Sequence, residues 1–156
     1  MMLRRAAVLL ILPAVLGGLA NSFHPNKIPW VGNWERYVES EAVEAGLGVA
    51  SIERAREIVA GRRWMILDAR TPKEYEAGHL PGALSLPRLE FEEKYEKVEV
   101  FLSRREPLLV YCSDKLCDEA VLLAKRLKDQ GYTQVWVFVG GFKAWETAGH
   151  PVEGAK

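Results

Sequence analysis

Residues 107–131, PLLVYCSDKLCDEAVLLAKRLKDQG, decide the fold. Pro107 precedes a short apolar run, Leu108 to Tyr111, that reads as a buried strand. The run ends on Cys112. A polar loop follows, Ser113-Asp114-Lys115-Leu116-Cys117, and a helical pattern then begins at Asp118. Asp118 suits the N-cap position, and Gly131 after Lys125, Arg126 and Lys128 suits a C-terminal stop. A cysteine at a strand end, with its loop curling into a helix N-terminus, stands where backbone N–H groups and the helix dipole favour an anion. That placement lowers a thiol's pKa and makes it a nucleophile. On these residues alone an inert, buried core cysteine is the equal alternative.

Outward from this unit the same alternation repeats. Val135 to Val139 is another continuous apolar strand, Gly140-Gly141 turns, and Phe142 to Ala148 forms a last helix closed by Gly149 and Pro151. Upstream, Ser51 caps a helix whose apolar positions Ile52, Ala55, Ile58 and Val59 share one face and which ends at Gly61. Trp64-Met65-Ile66-Leu67 is a buried-strand run ending at Asp68-Ala69-Arg70. Thr71 caps a short helix with Pro72 in its first turn, Gly78 to Gly82 turns, and Ala83 to Leu86 is a short strand. From Leu89, the residues Phe91, Tyr95, Val98, Phe101 and Leu102 recur at helical spacing and predict an amphipathic helix to about Arg104. Strands that are apolar throughout and alternate with helices predict an α/β fold, its sheet mainly parallel and covered on both faces.

Composition and charge set the outer bounds. At 156 residues, 49% hydrophobic and 27% charged, the chain suits one globular domain with an adequate core. Its 21 basic and 21 acidic residues cancel, and no basic run points to nucleic acid. Two cysteines exclude a disulfide-dense scaffold. Without a further ligand pair they also exclude a four-ligand zinc site, so no metal and no cofactor is expected.

The N-terminus carries a different signal. Arg4 and Arg5 precede Ala6 to Leu19, apolar apart from Pro13 and Gly17-Gly18, and small residues follow at Gly18 and Ala20. This describes an export signal over residues 1–20, cleaved after Ala20 or Ser22. An uncleaved anchor through residues 6–19 is the alternative, short of the ~20 residues a span needs. Removing residues 1–20 leaves 19 basic against 21 acidic residues, a net charge of −2. The mature protein is then expected in the periplasm or otherwise outside the cytoplasm, where thiols oxidise. Residues 21–50 read as a lead-in segment rich in breakers, with a short acidic-faced helix at 34–45. Trp30 and Trp34 in it pack on the domain or face a protein partner, and His24 reads as a solvated linker residue.

Three stretches together bring a family into view. The run Asp68-Ala69-Arg70-Thr-Pro-Lys-Glu74-Tyr75-Glu-Ala-Gly78-His79-Leu80-Pro81-Gly82-Ala83 closely resembles the first signature of rhodanese-like domains. Val137-Phe138-Val139-Gly140-Gly141-Phe142-Lys143-Ala144-Trp145, continuing to Gly149, Pro151 and Val152, resembles their closing signature. Between them, Val110-Tyr111-Cys112 stands where that family carries its catalytic cysteine. The resemblance covers residues 51–153 and implies a rhodanese-like fold with a central sheet of about five strands. It implies a sulfurtransferase in which Cys112 takes sulfur from a donor such as thiosulfate, becomes a persulfide, and passes the sulfur to cyanide or a thiol. Asp68, Arg70, Glu74, Tyr75 and His79 then resemble a structural brace rather than a catalytic set. Gly140-Gly141 permits a tight turn near the site, and Trp145 reads as core.

The loop Ser113-Asp114-Lys115-Leu116-Cys117-Asp118, the expected substrate-binding loop, departs from the family pattern. Many active members place an arginine five positions after the cysteine, where Cys117 stands here, and the loop region carries two acids and one base. Related phosphatases use an arginine six positions on, where this chain has Asp118, so the guanidinium that would clamp an oxyanion is missing. Cys117 supports three readings: a residue that resolves a persulfide or sulfenate on Cys112, a standing disulfide, or a small buried residue. Three functions follow: a sulfurtransferase on Cys112, a thiol-disulfide redox protein using both cysteines, and a non-catalytic module that binds a partner through residues 21–50.

Overall fold

The computed structural model describes the backbone of residues 2–23 and 34–154, and the side chains of residues 11–13, 15–23 and 36–154. His24, Trp30 and the Trp34 side chain lie outside them. The chain divides into two compact units after Gly32. The first holds one helix, α1 (Met2–Phe23), with Pro13 inside it. No helix among the described residues is long and apolar enough to cross a membrane.

The second unit begins with α2 (Trp34–Glu44) and β1 (Gly48–Ala50), followed by α3 (Ile52–Gly61), β2 (Met65–Asp68), α4 (Pro72–Ala77) and β3 (Ala83–Ser85). A 3-10 turn (Arg88–Glu90) leads into α5 (Phe91–Glu99), then β4 (Leu108–Tyr111), α6 (Glu119–Asp129), β5 (Val135–Phe138) and α7 (Gly141–Thr147). The five strands form one sheet in the order β1-β5-β4-β2-β3, every pair parallel. As expected for a parallel sheet, the central strand β4 is buried at all four positions. Leu108, Val110 and Cys112 face α2, α5 and α6, while Leu109 and Tyr111 face α3 and α7. The direction in which successive strands are added reverses between β2 and β4, because β2 leads outward to β3 whereas β4 leads back to β5. In parallel sheets that switch point opens a crevice at the carboxyl ends of the strands, and Cys112 lies at its edge.

The core takes in residues upstream of the domain expected over 51–153, and one helix boundary needs correction. Val38 and Ala42 of α2 and Leu47 are buried in the core, and β1 pairs with β5 at the sheet edge. This strand is short and opens on glycine, so it carries little sequence signal. The glycine is required, since a Cβ at Gly48 would stand 2.2 Å from the Trp136 ring. The helix expected over 89–104 is shorter than its periodicity. It tightens into i→i+3 bonds, Phe101 N–H to Val98 O and Leu102 N–H to Glu99 O, as the chain turns back toward β4. Val100 and Phe101 are thereby turned to solvent, while Leu102 stays packed.

A buried polar brace joins β2 to β4. The Arg70 guanidinium donates from Nε to Asp68 Oδ1 at 3.0 Å and from Nη2 to Asp68 Oδ2 at 2.6 Å and Gly78 O at 2.7 Å. The Tyr111 hydroxyl donates to Asp68 Oδ2 at 2.5 Å and accepts from Leu80 N at 3.2 Å. Arg70 also lies over the Phe142 ring of α7, 4.1 Å from its centroid. Burial opposes the Arg70 charge, but the Asp68 carboxylate outweighs it and raises the arginine's pKa. Burial, with the Asp68 carboxylate beside it, pushes the Tyr111 phenol up.

At the end of β5 the chain turns on Gly141, whose φ is +63°, a left-handed backbone that disfavours side chains. A Cβ there would stand 2.6 Å from the Cys112 carbonyl oxygen and 2.8 Å from Asp114 N. The close approach lets α7 grip the cysteine loop, Phe142 N–H donating to Cys112 O at 2.8 Å and Lys143 N–H to Ser113 O at 2.9 Å.

Removing one partner of the buried pair, as in Arg70→Ala, strands the other charge and is expected to cost about 3–5 kcal/mol in urea unfolding. Tyr111→Phe, which removes one buried hydrogen bond, is expected to cost about 1–3 kcal/mol. The raised phenol keeps its full stabilising contribution below the unfolded tyrosine value of about 10. Stability should therefore fall as pH rises beyond that point, and less steeply in Tyr111→Phe. Gly141→Ala should lose about 1–3 kcal/mol from the left-handed backbone alone.

Candidate active site

Cys112 is the first residue after β4 and is 3% exposed. Its sulfur is bonded to that of Cys117, five residues on, with the two Cα atoms 6.2 Å apart. Of the three expectations for Cys117, the structure has the disulfide. Ser113 and Asp114 are half-buried in the closed loop, and Lys115, Leu116 and Asp118 are exposed.

Asp114 holds the loop in this shape. Its carboxylate Oδ1 accepts Leu116 N–H at 2.9 Å, and its carbonyl accepts Cys117 N–H at 3.2 Å. A cradle of inward N–H groups for an anion is the expectation from the strand-loop-helix pattern. In the bridged loop two of those donors are instead satisfied by Asp114. Asp118 does occupy the N-cap position of α6, but its side chain makes no capping bond. The α6 dipole nevertheless directs its positive end at the loop.

The first-signature residues separate into two groups. Asp68 and Arg70 form the brace and are buried. Tyr75 donates to Ala83 O at 2.7 Å and stacks on His79, ring centroids 3.8 Å apart. His79 places Nδ1 2.9 Å from Tyr75 O, which ties its ring to α4, while its backbone exchanges two hydrogen bonds with Glu153 and holds the C-terminal tail. Glu74 does more than brace. It closes a capping box with Thr71, and its Oε1 accepts from the Ser113 hydroxyl at 3.1 Å. The Thr71 hydroxyl, donating at 2.6 Å, is the main cause that holds the Glu74 carboxyl below the usual carboxylate range, and the Ser113 bond adds to it. A charged carboxylate thus anchors the residue next to Cys112.

Two basic residues near the loop escape the reading of the loop sequence. Lys143 lies in the closing signature and lines, with Asp114, Lys115, Leu116, Ile52 and Ala144, an open groove of 520 Å³ beside the loop. Arg88, in the 3-10 turn, pairs with Glu119 at the start of α6. Only the fold brings them to the loop, because they lie 31 positions after and 24 before Cys112 in the chain. No group of three or more His, Cys, Asp or Glu among the described residues is placed to hold a metal ion.

Comparison with known proteins agrees with this architecture. A family model described as the rhodanese-like domain matches residues 51–148. A thiosulfate sulfurtransferase GlpE of Coxiella burnetii is 35% identical over 101 residues, which cover 65% of this chain and 88% of that protein. The protein of the same name from Pseudoalteromonas translucida is 30% identical over 101 residues, 63% of this chain and 88% of the relative. Among solved structures, one from Rhodopseudomonas palustris, described as a protein of unknown function and possible tyrosine phosphatase, has a TM-score of 0.61. It is 26% identical, covering 81% of this chain and 99% of that one. With the signatures, the parallel sheet and these matches in agreement, the chain belongs to the rhodanese-like domain family.

Proposed function

We propose that this chain is an exported sulfurtransferase that carries sulfane sulfur as a persulfide on Cys112, between thiosulfate or a similar donor and a thiol or cyanide acceptor. The observation that carries the reading is the position of Cys112: at the carboxyl end of the central strand, on the switch point of the sheet, before the α6 N-terminus. The relatives named thiosulfate sulfurtransferases support it.

The Cys112 thiolate of the reduced protein attacks the outer sulfur of thiosulfate. A Cys112 Sγ–S bond forms, the donor's S–S bond breaks, and sulfite leaves with the electron pair. The acceptor thiolate or cyanide then takes the terminal sulfur, and Cys112 departs as thiolate. Negative charge stays at the loop in both steps, where the α6 dipole favours it. Lys115 and Lys143 bring positive charge to the adjoining groove, offsetting Asp114 for an anionic donor.

The disulfide supports two further elements of the proposal. It withholds the nucleophile, so transfer requires prior reduction. It also fits an oxidising compartment, in line with an export signal over residues 1–20 and a rhodanese-like domain beyond it. The same bond favours, as a second reading, a thiol-disulfide redox protein. The phosphatase description of the Rhodopseudomonas palustris protein is not carried over, because Asp118 stands where an oxyanion-clamping arginine would be needed.

Thiocyanate formation from thiosulfate with cyanide in excess tests the proposal. Pre-reduced wild type is expected to turn over and Cys112→Ser to fall to background, while oxidised wild type stays silent until a reductant is added. Equal rates for Cys112→Ser and wild type would sink the assignment and move weight to a binding module.

A further inference from the structure

We propose that Cys117 makes this protein a sulfane-sulfur reductase: it resolves the Cys112 persulfide, releases sulfide, and leaves the Cys112–Cys117 disulfide for a dithiol to reduce. The inference rests on the persulfide assigned to Cys112 above and adds a second fate for it.

Accessibility separates the two fates. In the bridged loop Cys112 is 3% exposed with Cys117 bonded to its sulfur. The group the fold seats against the inner sulfur of a persulfide is therefore Cys117 and not an outside thiol. An external acceptor meets the outer sulfur and takes it away as transferred sulfur. Cys117 is the nucleophile the fold brings to the inner one. Its sulfur is within bonding reach of Cys112 while β4, the brace and α7 are all in place. The approach is built into the loop from both sides. Asp114 fixes the amides of Leu116 and Cys117, and the amides of Phe142 and Lys143 fix the carbonyls of Cys112 and Ser113.

The chemistry balances. The Cys117 thiolate attacks Cys112 Sγ of Cys112–S–S⁻, the Sγ–Sγ bond forms, the bond to the terminal sulfur breaks, and that sulfur leaves with the electron pair as sulfide, protonated by solvent. The sulfane sulfur is reduced by two electrons and the two cysteines are oxidised by two. A dithiol restores them. Its first thiolate attacks Cys117, which is half-buried and the more exposed of the pair, and expels the Cys112 thiolate. Its second thiol then attacks the mixed disulfide and frees Cys117. Over one cycle thiosulfate and a dithiol become sulfite, sulfide and a cyclic or protein disulfide.

A single-turnover experiment on the full chain decides the matter. Reduced protein, freed of reductant, is mixed with one equivalent of thiosulfate without cyanide, and sulfite, sulfide and intact mass are followed together. Wild type is expected to release sulfite and then sulfide, ending two protons lighter than the reduced form. Cys117→Ser is expected to release sulfite only and to stop one sulfur heavier, with sulfide release lost until dithiothreitol is added. If wild type also stops one sulfur heavier and releases no sulfide, the reductase inference is overturned and the sulfurtransferase reading stands. If neither protein releases sulfite or gains sulfur, both readings fall together for thiosulfate.

Discussion

The ion pair between Asp68 and Arg70 is the constraint on which the site depends. Two charges buried at the end of β2 are tolerable only because each is met by several partners. Arg70 spends donors on Asp68 and the Gly78 carbonyl, and Asp68 accepts further from the Tyr111 hydroxyl. Tyr111 directly precedes Cys112, so its ring and hydroxyl fix the backbone from which the cysteine projects. Arg70 reaches on to the face of Phe142, the residue whose amide holds the Cys112 carbonyl. One charged group therefore touches, directly or through one neighbour, both β4 and α7 where they meet at the loop.

Such a brace adds specificity where apolar packing does not. The central strand is apolar on both faces, so the hydrophobic pattern marks its register less sharply than an alternation of apolar and polar residues would. The pairing of Asp68 with Tyr111 across β2 and β4 is both a backbone register pair and a side-chain hydrogen bond. A slip of one residue would turn Tyr111 away and leave the Asp68 charge in the core without that donor.

Much of this was legible in the sequence. The caps Ser51 and Thr71, the apolar strand runs and the glycine turns are local signals, and the structure places them within a residue or two. The family signatures reached the same fold by another route. What the sequence hid was non-local. Strand β1 makes sense only with Trp136 lying against Gly48, and the end of α5 is set by the need to turn into β4. The bond from Ser113 to Glu74 joins residues 39 positions apart, which no spacing rule links. Cys112 and Cys117 are close in sequence, yet whether their sulfurs meet depends on Asp114 folding the loop, and side-chain type alone does not convey that.

The disulfide closes a ring spanning only five positions. A cross-link so short removes little freedom from the unfolded chain, on the order of 2 kcal/mol in the chain-entropy model. Both cysteines pack at the edge of one apolar layer, but the bulk of the architecture rests on the sheet, the remaining residues of its two apolar layers and the Asp68–Arg70 pair. Opening and closing this ring is consequently a local event, decoupled from the persistence of the domain. The fold therefore does not hang on the oxidation state of this one bond.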